Sequence, residues 1–326
     1  MTPVLDIKGL TTEFRVKNGW HAAVRGIDLS VNANETLAVV GESGSGKSVT
    51  ALSTLRLLPQ TGARISRGEV GFGGRDLTKL SEREMSRIRG NDIAMIFQEP
   101  MTSLNPTMTV GDQIAEGLLI HRGMSRTEAA KEARRLLDEV RVPDPARRVN
   151  DYPHQFSGGM RQRAMIAIAL ACRPKLLLAD EPTTALDVTV QAQVLSLLDD
   201  LKRDRGMAIV FITHNLGVVA QIADRVAVMY AGEIVETATC DTLFADPVHP
   251  YTEALLKAMP RVDRKAESLE PIPGSVPSIS ARPAGCVYAP RCNYVQPSCA
   301  AHPSLVPVGG NHEARCPVRA DKGEAA

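Results

Sequence analysis

The sequence lacks both an excess of charge and any long apolar segment. Its 326 residues include 38 basic and 37 acidic side chains, which leave a formal net charge of +1. A near-neutral chain has no general attraction to nucleic acid or anionic lipid, so nucleic acid is not expected as a partner. No apolar run approaches the roughly 18 to 20 residues of a spanning helix, and any link to a membrane is expected to run through another protein.

The amino terminus lacks the apolar core of a signal peptide, because residues 1–9 carry acidic and basic side chains. We therefore expect the chain to stay in the cytoplasm. Cysteine is scarce except near the carboxyl end, where four of the six cysteines lie. In a reducing compartment these are not expected to form structural disulfides.

The apolar patterns that are present predict an α/β fold with three parts. Alternating apolar and polar residues before about residue 72 predict antiparallel strands. Five near-continuous apolar runs predict a helix-covered parallel sheet: 36–40, 93–97, 175–179, 208–212 and 225–229. Residues from about 100 to 174 are predicted to form an inserted helical subdomain. After about Gly232 the chain is predicted to be loop-rich, with six prolines between Pro260 and Pro290.

A glycine-rich segment, Gly41-Glu-Ser-Gly-Ser-Gly-Lys-Ser48, follows the first of these runs and opens a segment that can be helical as far as Leu58. This is the strand-loop-helix context of a P-loop. Its residues Gly41, Ser43, Gly44 and Gly46 let backbone N–H groups turn toward phosphate oxygens. In a P-loop, Lys47 would reach the β- and γ-phosphates and Ser48 would ligate Mg²⁺. The alternative interpretation is a glycine-rich turn that binds no ligand.

Two carboxylates, Asp180 and Glu181, follow the apolar run 175–179, at the edge of the sheet where parallel sheets bind ligands. Asp180 suits Mg²⁺ binding, and Glu181 could orient and polarise an attacking water. An Asp-Glu pair alone is a weak signal. Gln98 and His214 follow two other runs toward the same edge, and alone each would be taken for a surface or structural residue.

Residues 156–163, Phe-Ser-Gly-Gly-Met-Arg-Gln-Arg, resemble the signature motif of ABC ATPases, with Met160 where glutamine is usual. The resemblance implies a P-loop NTPase (RecA-like) domain over residues 1–235 and a C-terminal extension over residues 236–326. Once residues 156–163 are taken as the signature motif, the remaining motifs follow the order that they have in this family. They are the Q-loop glutamine Gln98, the Walker B end Asp180, the catalytic Glu181, the D-loop Ala185-Leu-Asp187 and the switch His214.

The resemblance also implies roles for these residues. Lys47, Gln98, Glu181 and His214 would be catalytic, and Mg²⁺ would be held by Ser48, Gln98 and Asp180. ATP would bridge two subunits of a head-to-tail dimer, so that Ser157, Gly158, Gly159 and Asp187 contact the nucleotide of the opposite subunit. Phe14 would cover the adenine, with Trp20 as the competing candidate.

Three segments are similar to the oligopeptide/dipeptide importer ATPases: residues 99–106, 156–163 and 249–256. Residues 271–277, followed by the clustered cysteines, resemble the C-terminal extension of that group. The similarity implies peripheral attachment to the cytoplasmic face of the inner membrane, through permease subunits. It further implies a second ATPase, which could be a copy or a paralogue, and indirectly a solute-binding protein. The solute stays open, because relatives serve peptides, nickel, glutathione, opines and oligosaccharides. The alternative, a soluble ABC ATPase acting on DNA or the ribosome, is disfavoured by the single cassette and the near-zero charge.

Four clustered cysteines lie in a proline-rich segment that has little core of its own: Cys286, Cys292, Cys299 and Cys316. Such a segment needs a crosslink, such as a bound metal ion or cluster, to be stable. Their spacing lacks the short gaps common in zinc sites, although zinc stays possible with His302 or His312 as a substitute ligand. Four thiolates also suit an iron–sulfur cluster. The resemblance to peptide-importer ATPases implies a structural [4Fe–4S] cluster.

Overall fold

The computed structural model describes residues 2–17, 19–99, 103–184, 186–259 and 272–319. The chain divides into two compact units. We call Met1–Val4, Val31–Glu35 and Lys79–Phe211 the helix-rich unit. We call Leu5–Ser30, Thr36–Thr78 and Ile212–Ala326 the strand-rich unit.

The strands and helices are numbered in chain order. The strands are β1 (Leu5–Val16), β2 (Gly19–Val31), β3 (Thr36–Val40), β4 (Ala63–Phe72), β5 (Arg75–Asp76), β6 (Ile93–Ile96), β7 (Leu176–Asp180), β8 (Ala208–Thr213), β9 (Arg225–Tyr230), β10 (Glu233–Thr239), β11 (Val306–Gly309) and β12 (His312–Ala314). The α-helices are α1 (Lys47–Thr54), α2 (Glu82–Ile88), α3 (Val110–Arg122), α4 (Arg126–Glu139), α5 (Pro145–Arg148), α6 (Gly158–Leu170), α7 (Val188–Arg205), α8 (Leu216–Ile222), α9 (Cys240–Ala245) and α10 (Pro250–Lys257).

Two sets of strands build the strand-rich unit. One is a four-stranded sheet with the order β2-β1-β4-β5, in which β1 and β4 are antiparallel. The other has the order β11-β12-β10-β9-β3, with β3 and β9 parallel and β10 antiparallel to β9. Every residue of β3 is buried, as its continuous apolar run predicts for a strand covered on both faces.

The helix-rich unit contains the parallel pair β6 and β7, with β8 beginning beside β7. Three of its helices begin at side-chain caps. Ser81 and Ser125 form capping boxes with Glu84 and Glu128, and Asp187 caps α7, which ends before the left-handed Gly206. These local signals satisfy amides that would otherwise lack partners at each helix start.

Three predicted boundaries differ from the structure. The helix expected to reach Leu58 ends at Thr54, and Arg56 has a left-handed backbone with φ of 53°. The chain after Gly232, expected to be loop-rich, continues as β10, α9 and α10. No long apolar run marks β10 in the sequence, although this strand pairs with β9 along most of its length. The proposed boundary between residues 235 and 236 falls within β10, and the two-domain division stays a prediction.

The last described segment, residues 272–319, is here called the C-terminal region. It shares an apolar core with β3, β9, α8 and α10. The rings of Tyr230, Tyr251 and Tyr288 meet there, with centroids 4.6 to 5.4 Å apart. The C-terminal region is therefore packed onto the strand-rich unit despite having little regular structure.

No helix among the described residues combines the length and the apolar character needed to cross a membrane.

We predict an acid-sensitive cap at His249. This side chain is 1% exposed, and its Nδ1 accepts the backbone N–H of Tyr251 at 3.1 Å at the start of α10. Burial lowers the pKa of His249 to about 4, from the ordinary 6.5. Because the unfolded chain takes up the proton first, stability should fall as the pH drops from about 6.5 to about 4, by about 3 kcal/mol in total.

His249→Asn should remove most of this pH dependence, because asparagine can cap a helix without titrating. Denaturant unfolding at a series of pH values measures the effect. Parallel acid losses in the two proteins would contradict the assignment.

Candidate functional site

The loop Gly41–Ser48 joins β3 to α1 in the strand-rich unit. Its three glycines all have positive φ: 151° at Gly41, 78° at Gly44 and 105° at Gly46. A Cβ on Gly41 would lie 2.1 Å from the carbonyl oxygen of Met229, and one on Gly46 would lie 2.9 Å from the Met229 Cε. The loop therefore needs glycine for both its conformation and its close approach to β9.

Lys47 is the buried cation of this loop. It is 6% exposed, and its ammonium donates to the carbonyl oxygens of Gly41 at 2.8 Å and Glu42 at 3.0 Å. The ammonium thus lies over the turn that precedes α1, whose amino terminus adds partial positive charge. Ser43 and Gly44 are exposed on the loop and Ser48 is half-buried. This arrangement can bind an anion with several oxygens, such as a polyphosphate.

Glu181 follows β7 in the helix-rich unit, where Asp180 is 5% exposed. The backbone of Glu181 is left-handed, with φ of 47°, a conformation that non-glycine residues adopt at some cost. Its Oε2 accepts hydrogen bonds from Thr184 Oγ1 at 2.8 Å and Gln98 Nε2 at 3.4 Å. The structure thus brings Gln98 and Glu181 together as predicted. Thr184 was not singled out from the sequence, where only its spacing of three residues from Glu181 could have indicated it.

The predicted signature residues begin α6 in the same unit. The Ser157 hydroxyl accepts the Met160 N–H, and a Cβ on Gly159 would lie 2.9 Å from Val190 in α7. Gly158 has no neighbour within 4 Å of a Cβ position. Asp187, which was predicted to contact nucleotide, caps α7 by accepting the Val190 N–H at 2.9 Å. Of the D-loop, Ala185 lies outside the described residues, as do residues 100–102 and 271 of the importer-like segments.

The two candidate adenine-stacking residues lie on the antiparallel sheet of the strand-rich unit. Phe14 is half-buried on β1, opposite Ala63 of β4. Trp20 is 38% exposed, and the Arg64 guanidinium lies 4.2 Å from its ring centroid. One ring face of Trp20 is therefore already covered. His214, directly after β8, is exposed on the surface of the unit.

The four C-terminal cysteines are free thiols, with Cys292 half-buried and the others buried. The N–H of Cys286 donates to the Cys299 carbonyl at 2.9 Å, and the Tyr294 N–H donates to Cys292 Sγ at 3.3 Å. Burial raises the pKa of the Cys286 and Cys292 thiols, and neighbouring cysteines raise it further. The thiols are thus near neighbours. Even so, within the described ranges no three His, Cys, Asp or Glu side chains are placed to hold a single metal ion.

Two residues missed from the sequence contact the phosphate-binding loop. Tyr251 Oη accepts the Glu42 N–H at 2.8 Å, and Arg291 pairs with the Glu42 carboxylate. Tyr251 belongs to the importer-like segment 249–256, which could have pointed to it. No pattern in the sequence indicates Arg291.

Two family models match the chain. Residues 24–184 match the ABC transporter family, and residues 235–299 match the oligopeptide/dipeptide transporter C-terminal region. A protein of Brucella melitensis, named as a peptide import ATP-binding protein, is 54% identical over 96% of both chains. A protein of Brucella abortus with the same kind of name is 51% identical, covering 97% of this chain and 95% of its own.

Solved structures show the same fold. A dimeric ATP-binding cassette in a post-hydrolysis state, bound to ADP and Pi, is 29% identical with a TM-score of 0.66. The match covers 72% of this chain and 98% of the cassette. A protein from Clostridium perfringens, described as part of an ABC transporter complex, gives a TM-score of 0.64 at 24% identity, over 76% of this chain and 92% of its own. The predicted fold class is thereby confirmed.

The close approach at Gly41 gives a testable prediction. Gly41→Ala should destabilise the protein more than Gly44→Ala, because its Cβ meets a backbone oxygen in addition to the left-handed strain. Gly44→Ala meets no atom and should cost only that strain, about 1 to 2 kcal/mol. Denaturant unfolding without nucleotide compares the two. Equal losses would mean that the loop does not need the close approach to β9.

Proposed function

Since this chain belongs to the ATP-binding proteins of ABC transporters, we propose that it couples ATP hydrolysis to the import of peptides through a separate permease. The observation that carries the peptide assignment is the match of residues 235–299 to the oligopeptide/dipeptide transporter C-terminal region. The Brucella relatives, named for peptide import, support it over almost the whole chain. Their names speak against the alternative of an ATPase that acts on DNA or the ribosome.

The loop Gly41–Ser48 is proposed to bind the ATP phosphates, through its amides and Lys47. Ser48, Gln98 and Asp180 offer hydroxyl, amide and carboxylate oxygens, the donor types that Mg²⁺ prefers, and we assign the ion to them. When bound, Mg²⁺ would neutralise charge on the phosphates. Phe14 is proposed to stack on the adenine. It is favoured over Trp20 because Arg64 already covers one Trp20 face.

Glu181 is proposed to orient and polarise the attacking water. Its carboxylate accepts hydrogen bonds from two donors, Thr184 and Gln98, which fix the direction of the side chain. Through its hydrogen bond to Glu181, Gln98 would couple the state of the hydrolytic site to the segment that follows Gln98 in the chain. His214 is proposed to assist at the γ-phosphate.

A head-to-tail dimer is proposed to complete each ATP site. Ser157, Gly158 and Gly159 begin a helix whose amino terminus can bind an anion, and we assign them, with Asp187, to the nucleotide of the opposite subunit. The dimeric cassette bound to ADP and Pi supports this arrangement. Loss of the γ-phosphate contact on hydrolysis would then favour the open state.

Outside the dimer, the proposed partners are integral permease subunits and, indirectly, a solute-binding protein. The helical subdomain predicted over residues 100–174 is the surface assigned to the permease. Such an assembly would hold the chain at the cytoplasmic face of the inner membrane. The second ATPase subunit can be a copy or a paralogue.

A structural [4Fe–4S] cluster is proposed for Cys286, Cys292, Cys299 and Cys316. Four neighbouring free thiols are the donor set of such a cluster, in which each thiolate binds its own iron. Among the described residues no three ligating side chains are already placed around one metal ion. The preference for a cluster over zinc rests on the four-thiolate donor set and on the cysteine spacing, which lacks the short gaps common in zinc sites. When bound, the cluster would crosslink a region with little regular structure.

Transport gives the direct test of the proposed function. With the cognate permease in proteoliposomes, wild-type protein should hydrolyse ATP and import labelled peptide. Glu181→Gln should retain ATP binding but lose hydrolysis by at least about 100-fold, the usual contribution of a group that assists proton transfer, and peptide uptake should stop. Glu82→Gln, on the exposed surface of α2 and outside the surface assigned to the permease, is the matched control and should behave as wild type.

Wild-type hydrolysis by Glu181→Gln would remove the assigned role of that carboxylate. Hydrolysis by the intact complex without uptake of any peptide would show that the solute is of another class.

The cluster gives a separate prediction. Anaerobically purified protein should be brown, with iron and sulfide in near-equal amounts, and Cys292→Ser or Cys299→Ser should abolish the colour. Cys240→Ser alters a buried cysteine outside the set and should keep it. Colourless protein with stoichiometric zinc would establish a zinc staple instead, and metal-free protein with four titratable thiols would exclude both.

A further inference from the structure

The C-terminal region contacts the phosphate-binding loop through Glu42. The Glu42 carboxylate accepts two hydrogen bonds from Arg291, from Nη1 at 2.7 Å and from Nη2 at 3.1 Å. Its backbone N–H donates to Tyr251 Oη, and its carbonyl accepts the Lys47 ammonium. One residue therefore links the loop's lysine to the C-terminal region.

Arg291 is fully committed to this contact. Its side chain is 4% exposed. Beyond the two bonds to Glu42, it donates to Tyr230 Oη at 3.2 Å and to the carbonyls of Pro273 at 2.7 Å and Ile272 at 3.2 Å. These five bonds match the five N–H donors of a guanidinium, and lysine could supply only three.

The charge of Glu42 explains why such a contact matters for function. A carboxylate on a loop that binds a polyphosphate repels its ligand, and the repulsion grows where protein displaces water. The Glu42 side chain is 30% exposed, so solvent screens it only in part. A bidentate arginine cancels this charge and also fixes the side chain in one direction.

We propose that Arg291 is a positioning residue for nucleotide binding, which neutralises Glu42 and fixes the phosphate-binding loop to the C-terminal region. Arg291 does not touch the nucleotide in this account and acts through Glu42. The inference rests on the proposed binding of ATP by Gly41–Ser48.

The test is a double-mutant cycle of charge-neutralising substitutions in the full-length protein. Affinity is measured by calorimetry with Mg²⁺ and a non-hydrolysable ATP analogue as the probe, for wild type, Arg291→Ala, Glu42→Gln and the double variant. Arg291→Ala should weaken ATP binding about tenfold, because the unpaired Glu42 carboxylate would then repel the phosphates through partly screened solvent. Glu42→Gln should stay within about threefold of wild type, and the double variant should recover to the same range, because no carboxylate then repels the phosphates.

Arg315→Ala is the matched control. Arg315 is another partly buried arginine of the C-terminal region, bonded to the carbonyls of Ile234 and Pro303 and near Glu233, and it has no contact with the loop among its hydrogen bonds. Its loss should lower stability but leave ATP affinity unchanged. If Arg291→Ala does not fold, Arg291→Gln replaces it in the cycle with the same expected outcomes.

Three results overturn one proposal or the other. Failure of the wild type to bind ATP overturns the proposed function itself. Wild-type affinity in Arg291→Ala overturns the inference alone. A double variant as weak as Arg291→Ala also overturns it, because the contact would then act by packing and not through the charge of Glu42.

Discussion

The rest of the site depends on the placement of one buried cation. The Lys47 ammonium is held by the carbonyls of Gly41 and Glu42, so the loop must curl back on itself directly after β3. This turn is possible only because Gly41 has φ of 151° and no side chain facing the Met229 carbonyl. The geometry of a five-residue buried strand, a glycine turn and a helix start thus fixes where a polyphosphate can bind. The same constraint makes the loop sensitive to whatever holds Glu42.

Two separate sets of contacts hold the functional residues, one set within each unit. Within the strand-rich unit, β9 packs against Gly41, while Tyr251 and Arg291 hold Glu42 from α10 and the C-terminal region. Within the helix-rich unit, hydrogen bonds from Thr184 and Gln98 hold Glu181 in a strained backbone conformation. Binding and hydrolysis are therefore supported by different neighbours. The C-terminal region is among the neighbours that support binding. This loop-rich segment therefore has a role beyond covering an apolar core.

Much of this could be predicted from the sequence, and the part that could not has a physical reason. Buried parallel strands, capping boxes and the P-loop are encoded by neighbouring residues, so β3, β7, α4 and Gly41–Ser48 were readable directly. The helix end at Thr54 was not, because it depends on the left-handed Arg56. The pairing of Arg291 with Glu42 joins residues 249 positions apart, and no local pattern encodes such a contact. The cysteine spacing indicates a crosslink, but how the thiols are placed depends on the fold, and among the residues that the structure describes no three ligating side chains surround one ion.

Calorimetric titration of the full-length chain with ATP shows whether the loop built around Lys47 binds the nucleotide. Wild-type protein should bind ATP, and Lys47→Ala, at equal stability by thermal unfolding, should bind at least about tenfold more weakly, because a charge-assisted contact to the phosphates is lost. Equal affinity in the two folded proteins would mean that the buried ammonium has no part in holding the nucleotide.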